Sequence, residues 1–282
     1  MDLEIKEIEK KYNELIKRTG KENIDFWGIN IMEDDENMIF KIYQSQRISK
    51  NVNHPLIDFL RKRDMVRYYA DVLDTKNPNR KRLDISLYQR NDENMTALFG
   101  YLLKRVPFFA SYYETVKKVA KMKITDEEGY QFASIYHVGL IETERCPDIL
   151  KFHFFTRWCE DPNQHTKEGY RDKEYLTYLK YIDVKEYQVL SKRAECILDK
   201  CDGHLWMAGM DLSLEECKYK IYLKEIKEAY RYLPEILGGY FEKQLKNIGC
   251  WNEMHKECRL AGAAVAMDSK GKSSLNLYYH VD

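Results

Sequence analysis

The feature that most constrains this chain is a repeat of five segment pairs, each pair joined by a polar turn. Within each segment apolar residues occupy every second position, which is typical of a β-strand with one buried face. The five predicted hairpins span residues 25–46, 66–90, 132–157, 205–224 and 261–281. Sequential hairpins of this kind favour a continuous antiparallel sheet.

Helical patterns lie between the hairpins, at residues 3–19, 54–64, 95–122, 173–200 and 225–248. Asn53 is a candidate N-cap for the second helix, Pro107 predicts a kink in the third, and the last two are each expected to be interrupted once. No linker-like segment divides the chain, so we expect a single domain over residues 1–282. Because ten sequential strands can close and remove exposed edges, the predicted fold is α+β. It is a ten-stranded antiparallel barrel of five helix-strand-strand repeats, surrounded by α-helices.

The composition argues against several classes of protein. The 46 basic and 46 acidic residues give a formal net charge of zero, whereas a general nucleic-acid binder is usually basic. No apolar run reaches the roughly 18 residues of a membrane span, and the charged N-terminus does not resemble a signal peptide. Seven irregularly spaced cysteines are typical of reduced thiols. We therefore expect a cytoplasmic protein without a nucleic-acid or membrane partner and without a dedicated metal site.

Polar side chains share one face of the second strand in each predicted hairpin. The clearest case is KYKIYLK, where Lys218, Lys220, Tyr222 and Lys224 alternate with three apolar residues. If the barrel closes with its apolar face under the helices, the polar face points into the lumen. The lumen-facing positions are then Lys41, Tyr43, Asp84, Ser86, Tyr88, Arg90, Lys151, His153, Phe155, Arg157, Lys218, Lys220, Tyr222, Lys224, Ser274, Asn276, Tyr278 and His280.

A buried set of cations is costly unless an anion satisfies it. A diphosphate offers many acceptor oxygens and suits several cations together with tyrosine hydroxyls. Tyrosine rings also stabilise a nearby cation through their π faces while keeping water away. A diphosphate leaving group beside an aromatic shield indicates formation of an allylic carbocation, and therefore prenyl transfer.

At these residues the sequence resembles the ABBA (PT-barrel) prenyltransferases, whose diphosphate-binding strands often read R-x-K-x-Y or K-x-Y. This chain has K-x-K-x-Y at Lys218, Lys220 and Tyr222, and K-x-Y from Lys41 to Tyr43. Within that superfamily it is most similar to the cyanobactin-type peptide prenyltransferases. The similar segments are ILKFHFF, MDLSLEECKYKIYLK, and HPLIDFLRKR with the following RLDISLYQ.

The resemblance implies roles for matching residues. Diphosphate binding is implied for Lys41, Lys151, His153, Lys218 and Lys220, and a carbocation shield for Tyr43, Tyr88, Tyr222 and Tyr278. The proton acceptor of these enzymes is a carboxylate on the first barrel strand, where Asp25 is the nearest candidate; Asp211 and Asp84 are its rivals. Asn276 departs from the pattern, because a cation is expected at that position.

The implied activity is transfer of a dimethylallyl or geranyl group from its diphosphate to an aromatic side chain, such as Tyr or Trp, of a linear or cyclic peptide. Such chemistry belongs to the biosynthesis of ribosomally made, modified peptides. Mg²⁺ can accompany the diphosphate, but no dedicated protein site for it is predicted. Two alternatives stay open at this point. One is a catalytically altered barrel that binds a prenyl or peptide ligand without turnover, and the other is an open sheet whose lysine face docks an acidic partner.

Overall fold

The computed structural model describes residues 3–20, 24–33, 35–47, 53–74, 81–88, 92–120, 134–143, 146–155, 157–159, 168–170, 172–226, 229–237 and 241–281. The helices in these ranges are α1 (Leu3–Thr19), α2 (Pro55–Arg61), α3 (Asp92–Arg105), α4 (Tyr113–Ala120), α5 (Asp172–Tyr181), α6 (Lys185–Cys201), α7 (Ala229–Leu237) and α8 (Glu242–Met254). The strands are β1 (Phe26–Met32), β2 (Asp35–Arg47), β3 (Val66–Asp74), β4 (Lys81–Leu87), β5 (Ser134–Thr143), β6 (Cys146–Phe155), β7 (Arg157–Cys159), β8 (Glu168–Tyr170), β9 (His204–Leu212), β10 (Cys217–Lys224), β11 (Cys258–Asp268) and β12 (Ser273–Val281).

The main sheet is a closed antiparallel barrel with the order β1-β12-β11-β10-β9-β6-β5-β4-β3-β2 around the ring. Closure comes from β1, which pairs with β12 on one side and with β2 on the other. Strands β7 and β8 form a separate two-stranded sheet. The predicted α+β class with antiparallel hairpins is confirmed. Closure leaves the barrel strands no free edge and gives the sheet an enclosed inner face.

The helices follow the predicted pattern with one local correction. The third helical segment breaks at Pro107, where a 3-10 helix (Pro107–Ser111) separates α3 from α4, because proline cannot donate the backbone hydrogen bond of a helix interior. The fourth is interrupted between α5 and α6. The predicted N-cap Asn53 is wrong: His54 caps α2, its Nδ1 accepting from the Leu56 amide at 3.2 Å. None of the described helices is both long and apolar enough to cross a membrane.

The outer face of the barrel forms the hydrophobic core with the helices. Alternate residues along the strands are fully buried there, among them Ile29, Phe40, Ile85, Phe152, Ile221 and Leu277. Helix α1 adds Ile5, Ile8, Tyr12 and Leu15, which lie three or four residues apart and therefore on one side of the helix. Truncating one of these large aliphatic residues to alanine is expected to cost about 2–5 kcal/mol of stability.

Glycines make room on the inner face. In the strand register Gly28 lies opposite Lys41, Gly139 opposite Lys151, and Gly209 opposite Lys220. A Cβ atom added at Gly209 would lie 2.9 Å from Cε2 of Tyr222, and one added at Gly28 would lie 3.2 Å from Cε2 of Tyr43. The first strand of these hairpins thus lacks a side chain where the second strand carries a long one.

Candidate active site in the barrel lumen

Two buried lysines on different strands converge on one carboxylate. Lys151 on β6 and Lys220 on β10 flank β9, and the Nζ atoms of both donate to the same oxygen, Oδ2 of Asp211. The Lys151 bond is 2.8 Å long. Only 4% of Lys151 and 8% of Lys220 is exposed. The predicted diphosphate-binding lysines of these strands therefore lie together in the lumen, joined by a predicted catalytic carboxylate.

The charged groups of this cluster shift one another's pKa values. Burial alone would raise the pKa of Asp211, but the Lys151 and Lys220 ammonium groups hold it well below its usual range, so the group is ionised. Its other oxygen, Oδ1, is buried without a hydrogen-bond partner among the described residues. Lys218 lies directly opposite Asp211 in the strand register. Burial, together with the neighbouring Lys220, lowers the pKa of Lys218 to about 8.

Three of the four predicted shield tyrosines form a cluster beside the lysines. The ring centroids of Tyr43 and Tyr278 are 5.8 Å apart in an edge arrangement, and those of Tyr222 and Tyr278 are 6.1 Å apart. Burial raises the pKa of Tyr222 and Tyr278 well above its ordinary value, so both hydroxyl groups stay protonated. The fourth, Tyr88, follows the last residue of β4 and is 36% exposed.

His153 links the lysine cluster to the tyrosines as a neutral residue. Its Nε2 lies 3.1 Å from the Tyr222 hydroxyl, and its Nδ1 is buried without a partner among the described residues. Burial, reinforced by nearby His137, lowers the pKa of His153 to about 3. The side chain can therefore offer a hydrogen bond to an anion but carries no charge at neutral pH.

Arg82 on β4 is a lumen residue that the sequence reasoning missed. Its guanidinium pairs with Asp84 at 2.9 Å and lies 5.4 Å from the ring centroid of Tyr43. Burial alone would lower the pKa of Arg82, but Asp84 and Tyr43 hold it well above its ordinary value. The sequence carries a signal for it, because Arg82 continues the alternation of Asp84 and Ser86, but the inward series that the sequence predicts begins at Asp84.

Small residues line the lumen on β11, β12 and β1. In the register Ala264 lies between Tyr222 and Asn276, and Asn276 lies opposite Asn30. Met207, Tyr222 and Ala264 form a small buried apolar cluster, separate from the main core, with Trp206 and Tyr278 packed against it. This side of the lumen offers small, uncharged side chains where the other side offers charge.

The remaining predicted residues divide between the lumen and its surroundings. Lys41 lies in the register beside Gly28, which in turn lies opposite Tyr278, so Lys41 reaches the tyrosine side of the lumen. Asp25 is in the bend before β1, where its backbone N–H donates to the carbonyl of Tyr43 at 2.9 Å. Alternation places Phe26, not Asp25, in the inward series of Gly28. Arg90 lies outside the described residues.

Comparisons with solved structures identify the architecture. NotF prenyltransferase matches with a TM-score of 0.59 at 7% sequence identity, covering 91% of this chain and 80% of that one. AnaPT from Neosartorya fischeri gives 0.58 at 10% identity, covering 91% and 78%. The 6-dimethylallyltryptophan synthase from Micromonospora olivasterospora, in complex with DMASPP and Trp, gives 0.57 at 9% identity, covering 91% and 81%. The chain has the PT-barrel fold. No protein-family model and no curated protein matches it.

At these identities the likeness establishes a shared fold over most of the chain. The predicted resemblance to the ABBA prenyltransferases is confirmed at that level. A PT barrel is a scaffold that can carry different sites, so function has to be argued from the lumen residues themselves.

Proposed function

We propose that this PT-barrel protein, built of five helix-strand-strand repeats and ten barrel strands, is an aromatic prenyltransferase. It transfers a dimethylallyl or geranyl group from its diphosphate to an aromatic side chain of a peptide. One observation carries the proposal: a buried lysine cluster and a three-tyrosine cluster meet at His153 and Tyr222 in one enclosed lumen. The charge suits a diphosphate, and the rings suit the organic cation that its departure leaves behind.

In the first step the bond between the allylic carbon and the diphosphate oxygen breaks, and the bonding electrons leave with the diphosphate. Negative charge grows on that oxygen in the transition state. Lys151, Lys218 and Lys220, with Lys41, are placed to stabilise it, and the neutral imidazole of His153 adds a hydrogen bond. Pre-positioned cations in a buried site lower such a barrier because they need no reorganisation.

In the second step the carbocation is captured. Tyr43, Tyr222 and Tyr278 present ring faces and edges that stabilise the cation and exclude water, which would otherwise quench it to an alcohol. An electron-rich aromatic carbon of the acceptor forms the new carbon–carbon bond, and the resulting ring cation loses a proton to restore aromaticity. The apolar surface near Met207 and Ala264 suits the hydrocarbon chain.

Three carboxylates are candidates for the proton acceptor. Asp84 and Asp211 lie in the lumen, each with one buried oxygen that has no partner among the described residues. Asp25 lies outside the inward series of β1. Arg82 at Asp84 and two lysines at Asp211 lower the basicity of the two lumen carboxylates. Proton removal therefore requires that bound diphosphate first draws those cations away.

The neighbours support the substrate class. The 6-dimethylallyltryptophan synthase structure contains DMASPP and Trp, a prenyl diphosphate and an aromatic acceptor. A peptide acceptor, in the manner of cyanobactin-type enzymes of modified-peptide biosynthesis, is proposed here from the sequence resemblance. Mg²⁺ would travel with the diphosphate and shield its charge, and the protein residues named above would bind the remaining oxygens.

The test is a mass-spectrometric assay. Purified protein is incubated with dimethylallyl or geranyl diphosphate, Mg²⁺ and a pool of linear and cyclic peptides containing Tyr, Trp or His. We expect one peptide class to gain a single prenyl mass, and the gain to disappear in Lys220→Ala. Free tryptophan and tyrosine are included, so that an amino-acid acceptor is distinguished from a peptide one. Absence of any adduct with every donor and acceptor would contradict the proposal.

A second candidate is a barrel that binds a prenyl or peptide ligand without turnover. It is favoured by the ion pairing of both lumen carboxylates, which leaves proton removal without a ready base. Tight binding of a prenyl diphosphate, measured by calorimetry, with no product from any acceptor would support this candidate over the enzyme.

A further inference from the structure

Asp211, a negatively charged residue, lies among the lysines that would bind the diphosphate of the proposed substrate. Its Oδ2 accepts from Lys151 at 2.8 Å and from Lys220, while Lys218 lies opposite it on β10. The two lysines that it pairs with are among the most buried charged groups of the described chain. A diphosphate bound by these lysines would therefore meet a carboxylate at short range.

Two opposing effects follow from this geometry. Without Asp211 two ammonium groups would share a buried lumen with no counterion, which is costly, so the carboxylate stabilises the unliganded barrel. With a diphosphate present the lysines have a better anion, and the same carboxylate becomes a like charge beside it. Repulsion between charges a few ångströms apart is strong at buried sites, because little water screens them.

The second carboxylate oxygen of Asp211 indicates that repulsion of the anion prevails when diphosphate is bound. Oδ1 of Asp211 is buried without a hydrogen-bond partner among the described residues, so this carboxylate is only half satisfied. A group built solely to position the lysines would be expected to have both oxygens held by neighbours. The unpartnered oxygen instead adds to the repulsion that an incoming anion meets.

We propose that Asp211 is an internal counterion, a stand-in for diphosphate that holds Lys151 and Lys220 in the free protein and competes with the ligand for them. The inference rests on the proposed function, since it concerns the same anion site. In a catalytic cycle the carboxylate recaptures the lysines as the product diphosphate leaves, which weakens product binding and clears the lumen. Asp211 then acts through the two lysines and sets the affinity of the site for diphosphate.

The experiment compares binding of inorganic diphosphate to the full chain and to Asp211→Asn by isothermal titration calorimetry at pH 7. The asparagine keeps the shape and one acceptor but removes the charge. We expect Asp211→Asn to bind about tenfold or more tightly, as removal of a nearby like charge predicts. Glu215→Gln is the matched control: it removes the same charge from the β9–β10 turn, where the Glu215 side chain is exposed. Its affinity should change less than about twofold, given the screening of exposed charges.

Unchanged or weaker binding by Asp211→Asn, with diphosphate binding intact in the unaltered chain, would overturn the counterion role and leave the proposed function standing. No binding by either protein would overturn both. If Asp211→Asn does not fold, the pair Lys151→Met and Lys151→Met/Asp211→Asn gives the same test, and the double variant keeps the net charge of the unaltered cluster. Tighter binding by the double variant than by the single one supports the proposal, and equal or weaker binding overturns it.

Discussion

The two sides of the lumen are built from neighbouring strands but differ in kind. Strands β4, β6, β9 and β10 bring together Arg82, Lys151, Lys220 and two carboxylates. Strands β11, β12 and β1 contribute alanine, serine, asparagine and glycine to the inner face. Tyrosines from β2, β10 and β12 lie between the two sides.

This contrast explains how one cavity can hold a ligand with two unlike halves. In the proposed function the buried cations select the diphosphate, and the small uncharged side chains leave volume for the hydrocarbon and its acceptor. The tyrosines mark the boundary, where the bond between the two halves would break. Substitutions confined to one side of the lumen test whether charge and volume are separable in this way.

The largest effect is expected from the charged side. Lys220→Met should reduce the rate of prenyl transfer about 100- to 1000-fold, because removing one donor that stabilises transition-state charge typically costs that much. Single-turnover mass spectrometry with a dimethylallyl donor measures it. Lys270→Met, an exposed lysine in the β11–β12 turn, is the control and should retain full activity. A comparable loss of rate in both variants would mean that the position of Lys220 in the lumen does not matter for the reaction.

The boundary between the sides should give the next largest effect. Tyr222→Leu is expected to slow transfer about 30-fold, since a desolvated cation–π contact is worth about 2 kcal/mol. Tyr222→Phe keeps the ring and loses only the hydroxyl contact to His153, so its rate should stay within about fivefold of the original. The measurements are the single-turnover rate and the ratio of prenylated peptide to water-quenched alcohol. An equal ratio in the leucine and phenylalanine variants would argue against shielding by the ring.

The outer face and the lumen differ in how far the sequence could predict them. Hydrophobic alternation specified the outer face because burial under helices demands an apolar residue at every second position, as at Ile221 and Phe152. It also placed Lys151, Lys220 and Tyr222 on the opposite face. Alternation cannot tell which residues of that face meet across the lumen, because this depends on the stagger between strands.

Three features of the site could not be read from the sequence for that reason. The sharing of Asp211 by two lysines depends on the register of β9 against β6 and β10, which the predicted strand order does not fix. Tyr88 belongs to the inward alternating series but follows the last residue of β4, and alternation alone does not show where a strand ends. The opposition of Gly209 to Lys220 becomes visible only once the register is known.

The charged side should also respond to pH. Lys218, with its pKa lowered to about 8, is protonated in the free protein below that pH and loses its proton above it. A bound diphosphate favours the charged form, so binding above pH 8 takes up a proton and the affinity should fall about tenfold per pH unit. Calorimetric titration with inorganic diphosphate from pH 7 to 9.5 measures this.

Lys218→Arg is the matched control for that titration, because arginine stays charged throughout this range. The ligand ionises in the same way in both experiments, so the ratio of the two affinities isolates Lys218. A ratio that does not change with pH would show that Lys218 does not contact the anion.

The smallest change in activity is expected from leucine substitutions at two adjacent alanines on β11. These substitutions also separate the effect of volume from that of charge. Ala264 faces the lumen beside Tyr222, and Ala263 faces the core. Ala264→Leu should raise the KM for geranyl diphosphate about fivefold, since overpacking costs about 1 kcal/mol or more, while the affinity for inorganic diphosphate stays the same. Ala263→Leu should instead lower the melting temperature and leave the KM unchanged, because its methyl groups enter the core under the helices. If Ala264→Leu weakened the binding of inorganic diphosphate as much as the binding of the geranyl donor, the two sides of the lumen would act as one site. The division of the lumen into a charged side and a side that provides volume would then be wrong.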